Sequence, residues 1–176
     1  MTRAIAATLA SARVKNSTAR DDWQTPPKVL ERVRMVGPIV LDPCTSEDNP
    51  VGASFALTER QDGLAVDWAD VLDDDIYSGL VFANFPYSRA KLWAAKIVEE
   101  STCGLEIVTL CAARPDSRWF FNLVWDSAQA VCFYRGRLRF VGAPSSAPFP
   151  SALVYHGPCP WAFEAAFADA GKVIRL

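Results

Sequence analysis

With 176 residues, 51% of them hydrophobic and 22% charged, the chain is long enough to bury a core and has the composition of a soluble globular protein. No apolar run approaches the roughly 20 residues that a membrane-spanning helix needs, so no membrane partner is expected. The single histidine, His156, argues against a histidine metal site or a Ser-His-Asp triad, and five cysteines without CxxC spacing read as buried thiols in a reducing cytoplasm.

Residues 1–20 are rich in Ala, Ser, Thr and Arg and carry no acid, which predicts a flexible basic arm ahead of one domain over 21–176. A helix is expected from "DDWQTPPKVLERVRMV", with Thr25 as N-cap, Pro26 and Pro27 in the first turn, and Gly37-Pro38 as the stop. "IVLD" reads as a short buried strand ending at Asp42-Pro43. Residues 43–79 read as irregular and acidic, with strand character only at "SFAL". "LVFA" is a second buried strand, running into Asn84-Phe85-Pro86-Tyr87. A helix follows over Arg89–Thr102, with Leu92, Trp93, Ala95 or Lys96, and Val98 along its apolar stripe.

Farther on, "LEIVTLCAA" is a strand, "SRWFFNLVWDS" a helix with Trp119, Phe120 and Phe121 toward the core, and "QAVCFYR" a strand. A loop over 141–151 leads into the strand "SALVYH", the helix "WAFEAAFADA" and a terminal strand "KVIRL". Alternating strands and helices predict an α/β fold: one mostly parallel sheet flanked by helices. Ligands of such sheets bind beyond the carboxyl ends of the strands, where Asp42 and Asn84 both fall.

Net charge is only −2, but it is unevenly placed. Residues 39–83 hold ten acids and one base, Arg60, whereas residues 114–139 hold five arginines against Asp116 and Asp126. An anionic polymer would meet the basic segments: Arg114, Arg118, Arg137 and Arg139 are candidates for phosphate contacts.

Four segments occur in order: "DDWQTP", "VLDPCTS", "DGLAVDW" and "ANFPYS". Together they resemble the small phage DNA N6-adenine methyltransferases, which share a D-x-W-x-T-P opening, an acidic strand end, a D-G-L…D-W segment and an N-P-P-Y-S motif. "ARPDSRWF", "GRLRF" and "SAPFPSALVYHG" extend the likeness to about residue 156. Two departures stand out: no glycine-rich turn follows the first strand, and Phe85 replaces the first proline of N-P-P-Y.

The resemblance implies a single-domain, Rossmann-like methyltransferase that transfers methyl from S-adenosylmethionine to adenine N6 at specific sites in DNA. It also implies phage origin, a host-cytoplasmic location, double-stranded DNA as partner and an optional homodimer. By the same carry-over, Trp23, Thr25 and Pro26 meet the methionine part of the cofactor, as do Asp42, Pro43 and Cys44 at the strand end. Glu59, Asp62 and Asp67 are candidates for its ribose and adenine.

The chemistry fits the tetrad. An exocyclic amine conjugated to a purine is a poor nucleophile, because its lone pair is delocalised into the ring. Two acceptors, the Asn84 side-chain oxygen and the Phe85 carbonyl, would draw the amine toward tetrahedral geometry and stabilise its developing positive charge. Tyr87 would stack on a flipped-out base, Pro86 would fix the path between them, and the exposed Phe85 ring would pack on substrate or a neighbouring loop. Cytosine N4, a glutamine amide or an RNA base presents similar chemistry. Phe85 leaves room for a non-catalytic DNA- or cofactor-binding remnant.

Overall fold

The structure is a computed structural model and describes residues 23–72 and 79–176, so the amino-terminal arm expected over 1–20 lies outside the described residues. Helix α1 (Pro27–Val36) starts at proline, whose fixed φ suits a first turn, and buries Val29, Leu30 and Val33. Its N-cap is Pro26 and no side chain caps it, so the expected capping role of Thr25 is not the one it plays.

The strands that follow are β1 (Ile39–Asp42), β2 (Phe55–Ala56), β3 (Leu80–Ala83) and β4 (Ile107–Ala112). Then come β5 (Ala130–Tyr134), β6 (Ser151–His156) and β7 (Gly171–Arg175). The helices between them are α2 (Trp68–Val71), α3 (Ala90–Thr102), α4 (Arg118–Val124) and α5 (Pro160–Phe167). The short α2 falls in a stretch expected to be irregular. Four residues are too few for helical periodicity to show in sequence.

Among the described residues, the seven strands form one sheet in the order β2-β1-β3-β4-β6-β5-β7. The sheet is mixed, not mostly parallel: β2, β1, β3 and β4 run parallel, whereas β6 opposes both β4 and β5, and β7 opposes β5. The expectation failed because β5 and β6 are joined by residues 135–150, which contain no helix. A parallel return needs a crossover, usually helical, whereas an open loop lets β6 come back antiparallel beside β5.

The central strands are buried on both faces, which explains their unbroken apolar runs. Alternation sends Val81, Ala83, Ile107 and Cys111 toward α3 and α4, and Leu80, Phe82, Val108 and Leu110 toward α1 and α5. Helix α3 buries Ala90, Trp93, Ala94, Ile97 and Glu100, a stripe rotated from the expected one, so that Leu92 is exposed. Phe120 is in the core and Trp119 packs at its margin, but Phe121 faces out. All five cysteines are free thiols; Cys103 is exposed, contrary to a wholly buried set.

Sheet topology places the site. The chain leaves β1 toward β2 but leaves β3 toward β4, on the opposite side. A crevice therefore opens between the carboxyl ends of these adjacent strands, where Asp42 and Asn84 sit. The antiparallel registers Ala112↔Ser151 and Phe133↔Ala152 bring both ends of the 135–150 connection to the same sheet edge. His156 pairs with Ile107 at the far edge, where it is buried and its Nε2 lies 3.1 Å from the Leu123 carbonyl. Burial lowers its pKa to about 4, so it is a neutral structural imidazole.

Candidate active site

A cleft of about 1180 Å³ opens at the carboxyl ends of β1 and β3, large enough for a nucleoside-sized ligand. It gathers Trp23, Thr25, Asp42, Pro43, Cys44, Glu59, Asp62, Asn84 and Pro86 from the residues expected of the site. Pro26, Phe85, Tyr87 and Asp67 do not line it.

Asp42 ends β1 in a turn tight enough for its Oδ1 to accept from the Cys44 backbone N–H at 3.1 Å. It is almost wholly buried, and desolvation pushes its pKa up to about 6, against the opposing pull of hydrogen bonds from Cys44 and Thr45. A carboxylate in this condition gains from a cationic partner. Burial raises the Cys44 thiol well above its ordinary range too, offset in part by a hydrogen bond from the Asn84 backbone. The thiol is therefore neutral, and it links the two strand ends.

No glycine-rich turn follows β1, but a glycine reaches the same turn from a distance. A Cβ on Gly63 would lie 2.0 Å from the Pro43 carbonyl oxygen, closer than atoms can approach. The segment carrying Gly63 is anchored by Trp68, fully buried, whose Nε1 donates to the Gly63 carbonyl at 2.7 Å. The Trp68 backbone N–H donates to buried Glu100 at 3.1 Å, and Glu100 pairs with Lys96 at 2.6 Å. Thus "DGLAVDW" braces the Asp42–Thr45 turn. Its last acid, Asp67, is exposed and accepts from the Ala69 N–H as the N-cap of α2, away from the cleft.

Asn84 follows β3 directly. Its Nδ2 donates to the Trp23 carbonyl at 2.5 Å and to Thr25 Oγ1 at 3.1 Å. A carbonyl only accepts, so the amide orientation is determined and Oδ1 is left as an acceptor on the other side. The Tyr87 hydroxyl donates to that oxygen over 3.4 Å, a long contact. Burial raises the Tyr87 phenol well above its usual pKa, so this proton stays in place.

The Phe85 ring is not exposed. It lies in the core beside Trp93 and Trp119, because Pro86, in extended geometry (φ −57°, ψ 116°), turns the chain into a 3-10 turn over Tyr87–Arg89. Tyr87 is half-buried, with Phe149 edge-on at 5.1 Å. Phe149 and Phe140 also meet Trp23, at 6.4 and 5.1 Å. An aromatic cluster thus joins the 135–150 connection to the entry segment and the tetrad.

Arg114, Arg118, Arg137 and Arg139 are exposed. The first two follow the carboxyl end of β4 and the others lie on the 135–150 connection, so topology puts all four at the sheet edge that carries the cleft. Sequence reasoning missed Gly63 as a brace, Trp93 as a cleft wall, and Arg60 and Arg89 as cations in an otherwise acidic rim. Arg89 adjoins the tetrad and was legible as a neighbour. Trp93 resembled any core residue of an amphipathic helix.

Residues 12–152 match a family model described as DNA N-6-adenine-methyltransferase (Dam). No curated protein matches the chain.

Proposed function

The chain belongs to the DNA N-6-adenine-methyltransferase (Dam) family, enzymes that methylate adenine N6 in DNA, and from that premise we propose which of its groups carry the transfer. The reading rests on one observation: Asp42 and Asn84 share a cleft at the adjacent carboxyl ends of β1 and β3. Family membership does not favour the cytosine and remnant alternatives.

When bound, S-adenosylmethionine supplies an electrophilic methyl group on a sulfonium sulfur. The residues present suit it: a poorly solvated carboxylate awaits an ammonium group, and the cleft has the volume for a nucleoside. Asp42 would hold the amino-acid portion, with Pro43 and Cys44 beside it and Trp23 and Thr25 also in the cleft; Pro26, which does not line the cleft, is the weaker candidate. Glu59 and Asp62 would accept from the ribose hydroxyls; Asp67, already capping α2, is the weaker candidate.

Asn84 Oδ1 and the Phe85 carbonyl accept the two N–H groups of the target amine. They accept from the neutral amine and accept more strongly as the nitrogen pyramidalises and gains positive charge, so they lower the barrier to transfer, after which the nitrogen would lose one proton to solvent. The Tyr87 ring holds the flipped base, and Pro86 sets the direction of the preceding carbonyl. Arg114, Arg118, Arg137 and Arg139 take the phosphates of the surrounding duplex.

Nucleoside mass spectrometry of DNA incubated with the protein and S-adenosylmethionine tests this reading. N6-methyladenine is expected from wild type, with Asn84→Ala slower by about 10²–10³, the scale of losing one acceptor or donor to a developing charge. An Asn84→Ala protein at wild-type rate would remove Asn84 from the mechanism.

A further inference from the structure

Asn84 acts as proposed only if its oxygen, not its nitrogen, faces the amine. An amide can present either end; the Trp23 carbonyl selects the nitrogen, and the Thr25 hydroxyl is that nitrogen's second partner. We propose that Thr25 is a positioning residue for methyl transfer, holding the Asn84 amide so that Oδ1 faces the target nitrogen. The inference rests on the reading of Asn84 as an acceptor.

Thr25 is buried, and its Oγ1 accepts from Asn84 Nδ2 at 3.1 Å while the Trp23 carbonyl takes the other amide proton at 2.5 Å. The turned-over amide would set two carbonyl oxygens against each other at the Trp23 contact. Thr25 is itself pinned from both sides. Pro26 and Pro27 lock the chain after it, and before it Gln24 bridges to Val141, whose N–H donates to the Gln24 carbonyl at 3.0 Å. Without the Thr25 hydroxyl, one amide proton of the half-buried Asn84 loses its partner and the side chain gains freedom to rotate. A threonine hydroxyl that accepts still has its own proton to donate, so a cofactor contact from Thr25 is compatible with this role.

Thr25→Val and Thr25→Ser separate the two roles. On folded protein, the methyl-transfer rate would be measured at saturating S-adenosylmethionine and DNA, and cofactor Kd by titration calorimetry. Thr25→Val is expected to lose about tenfold in the saturated rate, and Thr25→Ser to recover most of it. A change in cofactor Kd reports the separate contact of Thr25 with the cofactor, whereas the saturated rate reports the positioning role. A Thr25→Val protein with weaker cofactor binding but a full saturated rate would overturn the proposal, leaving Thr25 to the cofactor alone. If Thr25→Val does not fold, the Asn84 side-chain amide protons of wild type decide by NMR: slow exchange is expected, and exchange at the rate of a free amide overturns it. Asn84→Ala at wild-type rate would instead sink the underlying reading, whatever Thr25 shows.

Discussion

Phe85 lies parallel to Trp93, ring centroids 6.3 Å apart and planes within 2°. Where related motifs carry a proline, this chain places an aromatic ring in its core, with Tyr87 and Trp119 edge-on to it at 5.9 and 6.3 Å. The residue does two separable jobs: its ring packs, and its carbonyl is the proposed acceptor.

Phe85→Ala should therefore act on stability before it acts on chemistry. Removing a fully buried phenylalanine costs about 3–5 kcal/mol, through lost transfer energy and the cavity left behind. Phe85→Pro should be nearly as damaging. Urea denaturation measures this directly. Turnover per folded molecule should stay within about tenfold, since every residue at position 85 supplies a carbonyl. A stable but inactive Phe85→Ala protein would give the ring a role in the chemistry.

Asp42 should make stability depend on pH. Its pKa rises from 3.8 to about 6 on folding, so the fold favours the protonated acid. Stability is greatest below pH 4 as far as this group is concerned, falls between pH 4 and 6, and is lowest above that. The full difference is on the order of 2–3 kcal/mol. Asp42→Asn should thus raise the cofactor-free Tm at pH 7.5 but not near pH 3.5, while weakening S-adenosylmethionine binding. Thermal melts at the two pH values check the first part and calorimetry the second.

Gly63→Ala tests the brace beneath the Asp42–Thr45 turn. The added methyl meets a backbone oxygen rather than a flexible side chain, so one of the two segments must move. Cofactor affinity should fall by about tenfold or more as the turn shifts. Unchanged affinity and an unchanged Tm would show that the segments part freely.

DNA binding should weaken steeply with salt. Arg137→Ala should reduce the slope of log K against log salt by about one unit, whereas Arg175→Ala, beside Ala130 at the opposite sheet edge, should leave it alone. Equal slopes for Arg137→Ala and wild type would put the duplex on another face.

Much of the architecture was local and therefore legible. The strands around "IVLD" and "LVFA" are buried on both faces, so each is an unbroken apolar run, and prolines and glycines mark where helices begin and stop. The ordered motifs pointed to the family, and strand ends pointed to Asp42 and Asn84. Other features depended on partners distant in the chain. Strand β6 turned antiparallel because its approach had no helix, the α3 stripe rotated to follow the sheet, and Gly63 met Pro43 across twenty residues. Thr25 looked like a helix cap because capping is a local bond, yet its hydroxyl serves Asn84, 59 residues away. Phe85 looked exposed because burial is decided by what packs against a ring, and Trp93 and Trp119 arrive only when α3 and α4 close over β3.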